Sequence, residues 1–502
     1  MLPEALAGAA QIALSPSVIV AVLAGVILGV TVGAVPGISG DMAMALLLPM
    51  VFSMETAPAI GLLMGVYKGS LFGGSVSAIM FGIPGTPGAA ATIRDGFPAK
   101  QAGAPNRALH TGLYSSVIGD FTGVLVLIFI ATPLALLALK FGPREFLALY
   151  LVSIAVIAAL DIGRVAHGIS AASIGVLLST VGRDPFSGAT RFTFGLPDLA
   201  GGFGLAPVLI GLFAVSEIMV QVGRTWRDRA RDDLRRLAEA AAQAGYDVSK
   251  DRLTWAEYRT LWRAVAVGAT TGTVIGALPG AGATLAGFLS YGLALRVSSK
   301  PHLFGTGSME GIAAPEAGNS ATAGATLIPL FAFGIPGSGS AALVGAAFIM
   351  RGITPGPTMI EENMVVVYAI FILLLYGSLF NLVTSTLLLP YYARISMLQP
   401  RYVLPIVLGL ALLGTYATSN AVFDVWVLIA AGLLGVFLRS ASMPIAPVAL
   451  GFILGPGLES ALRQSLILGQ NDWLYLLQSP LAAGIYLAGG FSMLLLFLAT
   501  RR

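Results

Sequence analysis

The chain has 502 residues, of which 56% are hydrophobic and only 10% charged, and its net charge is +4. Soluble domains carry charge on roughly a quarter of their residues, so this composition, with a mean hydropathy of +0.87, excludes a soluble protein and identifies an integral membrane protein. With no cysteine and three histidines, the chain has no disulfides, no thiolate metal site and no cysteine nucleophile, and a zinc site is not expected; the small positive balance gives no reason to expect nucleic acid.

The N-terminal stretch MLPEALAGAAQIALSPS lacks the basic start of a signal peptide and is expected to form a short interfacial helix. The first span, 18–35, carries Gly25, Gly29, Gly33 and Gly37 at every fourth position, which puts a smooth ridge on one helix face where another backbone can approach. It ends in Pro36-Gly37-Ile38-Ser39-Gly40-Asp41, a helix break offering free amides, a hydroxyl and a carboxylate. A second ridge, Gly61, Gly65, Gly69 and Gly73, runs into FGGSVSAIMFGIPGTPGAAA at 72–91. There an apolar segment is broken by Pro-Gly and resumes with small residues. Broken backbone at membrane depth is tolerated only where it is buried in protein or lines a polar cavity, so this is read as a re-entrant hairpin.

A basic loop with Arg94, Asp95, Lys100 and Arg107 follows, then a long apolar stretch from 109 to 139, interrupted by Asp120 and Pro133, that suits one tilted helix. Further spans are expected at 146–160, 165–181 and 205–222. Residues 224–263 are rich in arginine and alanine and form the expected cytoplasmic linker, because basic residues near span ends remain on the cytoplasmic side. Beyond it the chain repeats itself. Gly25, Gly29, Gly33, Pro36 and Gly37 return 243 residues later as Gly268, Gly272, Gly276, Pro279 and Gly280, and Phe81-Gly-Ile-Pro-Gly85 returns 252 residues later as Phe333-Gly-Ile-Pro-Gly337. The second broken hairpin is placed at 323–349, and later spans at 365–389, 402–415, 425–438, 445–454 and 482–499.

The expected fold is therefore an all-α polytopic membrane protein with about ten to twelve transmembrane helices. It comprises a first membrane repeat (1–223), the linker (224–263) and a second repeat (264–502). An internal duplication with an odd number of crossings per half gives inverted halves, each contributing a re-entrant broken hairpin to a midplane site.

GVTVGAVPGISG, FGIPGTPGAAAT, RFTFG, LPGAGATLAGFLSYG, GIAAPEAGNSA, FGIPGSGSAALVGA, ITPGP and GFILGPGLESALRQSL occur in this order over nearly the whole chain. In this the sequence resembles the TctA family, the large membrane subunit of tripartite tricarboxylate transporters. The resemblance implies a secondary transporter of the bacterial inner membrane that imports citrate or a related carboxylate, with Na⁺ as the expected coupling ion and H⁺ as the alternative. It also implies two partners, a small TctB-like membrane subunit and a periplasmic TctC-like substrate-binding protein. Two departures bear on substrate. The family commonly shows Glu-Ala-Ala-Asn-Asn where this chain has Glu316-Ala-Gly-Asn319-Ser320, and an aromatic often stands where this chain has Lys68.

A carboxylate entering the membrane must exchange its hydration for donors, and helix starts with free amides supply them. The expected substrate-binding residues are Gly37, Ser39, Lys68, Ser75, Gly85, Thr86, Gly280, Asn319, Gly337, Ser338 and Ser340. Sodium requires oxygen ligands, for which Ser39, Thr86, Asn319, Ser320 and Ser338 are the candidates. No cofactor and no catalytic base are expected. Several of these residues have plainer readings: the glycine ridges serve packing or sliding, Lys68 pairs with a carboxylate, Ser75 and Ser77 bond their own helix carbonyls, and Glu316 caps a helix at the water boundary. Two other functions compete. One is a passive anion channel. The other is an intramembrane serine hydrolase using Ser39 of Gly37-Ile38-Ser39-Gly40, which needs His110, His167 or His302 within reach.

Overall fold

The structure is a computed structural model, and it describes residues 2–35, 38–159, 165–227, 251–280, 282–395 and 400–500. The linker expectation for 228–250 and the site expectation for Gly37 lie outside them. The described residues are mostly helical, and their one sheet is a short antiparallel pairing of Gly182–Arg183 with Thr190–Arg191. Seven helices among them are long and apolar enough to cross a membrane: Pro16–Ala34, Thr56–Phe81, Pro105–Ala138, Leu205–Gly223, Met364–Tyr392, Val422–Ser440 and Ile445–Leu468. Shorter apolar helices include Gly40–Ser53, Val165–Ser179 and Gly339–Met350. The 105–138 helix runs unbroken through Pro133.

The glycine ridges explain how the centre packs. Helix Pro16–Ala34 lies against Thr56–Phe81, and the two ridges interlock: Gly29 faces the backbone of Val66, Gly33 that of Ser70, and Gly69 that of Val26. A Cβ at Gly65 would stand 2.5 Å from the Val22 carbonyl oxygen and 2.8 Å from the Val26 nitrogen. In lipid, where apolar side chains gain nothing by hiding from the solvent, such backbone approach supplies the dispersion that holds helices together. The later part of the chain repeats the device. Gly268 and Gly272 of helix Trp262–Gly276 face Ala314 and Gly318 of helix Met309–Ala325, whose other side receives Gly119 and Gly123 of the 105–138 helix. The 309–325 helix is thus clamped between two glycine-bearing neighbours, and every residue from Gly311 to Ala325 is buried.

The basic stretch after Ala91 is not a loop. It forms helix Ile93–Gln101, whose Asp95 is completely buried. One Asp95 oxygen accepts the N–H groups of Gly305, Gly307 and Ser308 at 2.8–2.9 Å, and the other accepts the Tyr291 hydroxyl at 2.9 Å. This carboxylate ties the chain just after the first break to the entry of the 309–325 helix. The start of the 105–138 helix is fixed in a similar way, with Asp251 accepting the N–H groups of Asn106 and Arg107.

Candidate polar site at two broken segments

Helix Thr56–Phe81 ends on Gly82 in the left-handed conformation (φ 67°), and helix Ile328–Phe333 ends on Gly334 in the same conformation (φ 73°). Only glycine takes that conformation without a Cβ penalty. In both places the chain doubles back within three residues. The Gly85 N–H donates to the Gly74 carbonyl at 3.1 Å, and the Gly337 N–H donates to the Thr326 carbonyl at 3.2 Å. The two breaks then resume differently. The first continues as a single short turn, Pro87–Ala90, and the second as the apolar helix Gly339–Met350.

Both segments are met by turns from elsewhere in the chain. The Gly280 N–H donates to the Gly337 carbonyl at 2.8 Å, while Ala283, in the first turn of helix Gly282–Val297, lies against Gly88, so Gly280 and Ala283 touch one break each. Gly33 lies against Gly85, and Asp41, in the first turn of helix Gly40–Ser53, accepts a hydrogen bond from the Ser340 hydroxyl. The end of the first span therefore touches the first break, and the start of the next helix touches the second.

Around the first break stand Ser75, Thr86, Thr92, Glu316 and Asn319, all buried. One oxygen of Glu316 accepts the hydroxyls of Ser75, at 2.6 Å, and Thr92. The other Glu316 oxygen, the Thr86 hydroxyl and both amide atoms of Asn319 are buried without a hydrogen-bond partner. The Asn319 oxygen lies directly over Gly88, where a Cβ would collide with it. Buried polar atoms are almost always partnered, so this concentration of free oxygens marks a place suited to hold something polar.

Around the second break stand Ser39, Asp41, Tyr67, Thr326, Ser338 and Ser340. Ser39 caps helix Gly40–Ser53 by accepting the Met42 N–H at 3.2 Å, and Ser338 caps helix Gly339–Met350 by accepting the Ala341 N–H at 3.1 Å. The Tyr67 hydroxyl and Thr326 Oγ1 are 3.1 Å apart.

Of the residues expected at the site, Ser75, Gly85, Thr86 and Asn319 lie at the first break, and Gly280, Gly337, Ser338 and Ser340 lie at the second; Ser39 caps the helix whose Asp41 reaches Ser340. Two others face different partners. Lys68 is buried with its ammonium 3.1 Å from Asp120 and 2.8 Å from the Ser378 hydroxyl, and it also donates to the Leu374 carbonyl. The Ser320 hydroxyl is 2.6 Å from that of Ser116. Ser77 bonds the Gly74 carbonyl at 3.0 Å. Glu316 does not cap a helix at the water boundary; it lies in mid-helix at the first break. Asp41 and Tyr67 are not among the expected site residues: Asp41, just after a Pro-Gly break, reads as a helix cap, and Tyr67 lies on a glycine-ridged span. The three histidines make no hydrogen bond with Ser39 among the described residues; His110 pairs its Nδ1 with the Asn106 carbonyl.

Comparison with known proteins places this geometry in context. The model of the tripartite tricarboxylate transporter TctA family matches residues 19–450. An uncharacterized 52.8 kDa protein from the TAR-I ttuC′ 3′ region of Agrobacterium vitis is 33% identical over 454 residues, covering 90% of this chain and 88% of the relative. A second uncharacterized protein, from the TAR-II ttuC′ 3′ region of the same organism, is 35% identical over 231 residues, covering 46% of this chain and 96% of that relative. No solved structure matches.

Proposed function

The chain belongs to the tripartite tricarboxylate transporter TctA family, and from this premise we propose that it is the multi-pass permease subunit of a secondary transporter that imports a tricarboxylate or related carboxylate across the bacterial inner membrane. Its partners on this reading are a TctB-like small membrane subunit and a TctC-like periplasmic binding protein that delivers the substrate. The two broken segments, 252 residues apart and closed by equivalent Gly85 and Gly337 backbone hydrogen bonds, are read as the re-entrant hairpins of two duplicated, inverted halves.

The observation that carries the proposal is the cluster of buried oxygen atoms without partners at the first break, a break that the chain repeats at Gly334–Gly337. Small residues at Gly85, Gly88 and Gly337 let backbone amides approach a ligand closely, and amides at a helix start favour an anion. The Asp41 carboxyl already lies at the start of helix Gly339–Met350, accepting the Ser340 hydroxyl; a substrate carboxylate would take its donors from the Thr86 hydroxyl and the Gly88 N–H at the first break. Sodium would take oxygens from Thr86 and Asn319 at one break and from Ser39 and Ser338 at the other. Lys68 then serves as a fixed ion pair and not as a substrate contact. Transport proceeds by alternating access, with the part that carries the breaks moving as a body against the remaining helices.

The test is uptake of radiolabelled citrate and small dicarboxylates into proteoliposomes that hold this chain with its small subunit and binding protein. Uptake that needs the binding protein and an inward Na⁺ gradient is the expected result. A non-saturating flux that ignores the gradient would instead indicate a channel.

A further inference from the structure

Glu316 is a fully buried carboxyl in the middle of helix Met309–Ala325. Its surroundings are neutral. The charged residues on the helices packed against it are otherwise engaged or distant. Lys68 and Asp120 bind each other, Asp95 is satisfied by three backbone N–H groups and Tyr291, and Arg94 lies over the rings of Phe288 and Tyr291. Arg107 pairs with Glu257. His110 bonds Asn106, and Lys100, Arg263 and Arg296 sit toward helix ends. Among the described residues none forms an ion pair with Glu316.

A carboxylate held in this way is half built as a ligand. Ser75 and Thr92 direct their hydroxyl hydrogens at one oxygen and leave the second without a partner; equally unpartnered are Asn319, three residues along the same helix, and Thr86, whose hydroxyl lies against Gly74, the neighbour of Ser75. Leaving an ionised carboxylate unpaired there costs several kcal/mol, so the site gains most from a bound positive charge. Uncharged ligands give no such gain. Asn319 Oδ1 over Gly88 places a second neutral oxygen where it can share that charge.

We infer that Glu316 is the charged member of the coupling-ion site, binding one monovalent cation with Asn319 and Thr86 and so linking the 86–92 segment to the 309–325 helix. The inference rests on the proposed gradient-driven carrier and adds the group that holds the ion. The cation is either Na⁺ coordinated by these oxygens or a proton on the free Glu316 oxygen. In both cases binding removes the net charge from the break.

The test is separable from transport. The full chain, purified in detergent without substrate, is melted over a range of NaCl at constant ionic strength (choline replacement) and, at fixed Na⁺, over a range of pH. A midpoint that rises with Na⁺ in the wild type and not in Glu316→Gln assigns Na⁺. A midpoint that changes with pH in the wild type, lacks Na⁺ dependence, and loses its pH dependence in Glu316→Gln assigns the proton. Wild-type and Glu316→Gln proteins that respond alike, or a wild type that responds to neither, would overturn the inference, whatever the uptake assay shows. Should Glu316→Gln not fold, Thr92→Val keeps the carboxyl and removes one of its orienting donors; about tenfold weaker apparent cation affinity is expected, and an unchanged affinity counts against the site.

Discussion

Tyr67 and Asn319 stand 252 residues apart, the separation that also relates Gly85 to Gly337, and each reaches the broken segment of the other part of the chain. Tyr67 meets Thr326 beside the second break, and Asn319 meets Gly88 in the first. For Asn319 the consequence is unusual, because its amide is buried without partners. Removing an unsatisfied polar group costs little and can stabilise. Asn319→Ala should therefore melt within about 1 kcal/mol of the wild type while uptake falls at least tenfold. A variant that is clearly destabilised yet transports normally would assign Asn319 a structural role instead.

The Lys68–Asp120 pair makes a different prediction, since both side chains are buried. Removing one member of a buried pair leaves a bare charge and costs about 3–5 kcal/mol, whereas replacing both with apolar residues of similar size is often neutral. Lys68→Met alone should lower the melting midpoint sharply, and Lys68→Met with Asp120→Leu should recover most of it. If the double variant also recovers uptake, Lys68 is a positioning residue; if it folds and cannot take up substrate, Lys68 belongs to the binding chemistry.

Substitution in the glycine ridges separates packing from sliding. Gly65→Leu and Gly272→Leu would insert side chains between backbones already in contact at Val22 and Val26, or at Gly318. Overpacking of this kind costs about 1–3 kcal/mol where neighbours can shift, and more where backbone must. Poor yield of folded protein is expected from both. Normal yield with blocked uptake would favour surfaces that slide during the cycle.

Asp95 offers a test of scaffold integrity away from the site. Asp95→Ala would leave the N–H groups of Gly305, Gly307 and Ser308 without their acceptor, at about 1–3 kcal/mol for each group that stays buried. Asp95→Asn retains an acceptor oxygen and should be milder. Hydrogen exchange should show the loss concentrated at 305–308.

Much of this was legible in the chain. Glycine spacing of four predicts close helix pairs, and Gly25–Gly33 and Gly65–Gly73 do lie face to face, because only one side of a helix recurs at that period. The two Phe-Gly-Ile-Pro-Gly motifs mark both breaks, since the left-handed Gly82 and Gly334 turn the chain out of its helix and a Pro two residues on removes the next backbone donor. Other features were not legible. Asp95 reads as a loop charge because its partners lie 196 to 213 residues away. The sequence offers Lys68 either a substrate or a carboxylate partner and does not name the partner; the 105–138 helix brings Asp120 to it. Glu316 reads as a cap because sequence alone does not show that Ser75 and Thr92 converge on it. Helix identity is local information; which side chains face one another across three helices is not.

The crossing of the two breaks has a bearing on how the protein could be divided. The segment 85–92 draws Glu316 and Asn319 from the far side of the linker, and the segment 337–340 draws Asp41 and Tyr67 from the near side. On the proposed reading, neither portion possesses a finished set of ligands. Cut within 228–250 and produced as two polypeptides, the protein should be inert as either fragment and should recover function only when the fragments are made together, by complementation in the same membrane.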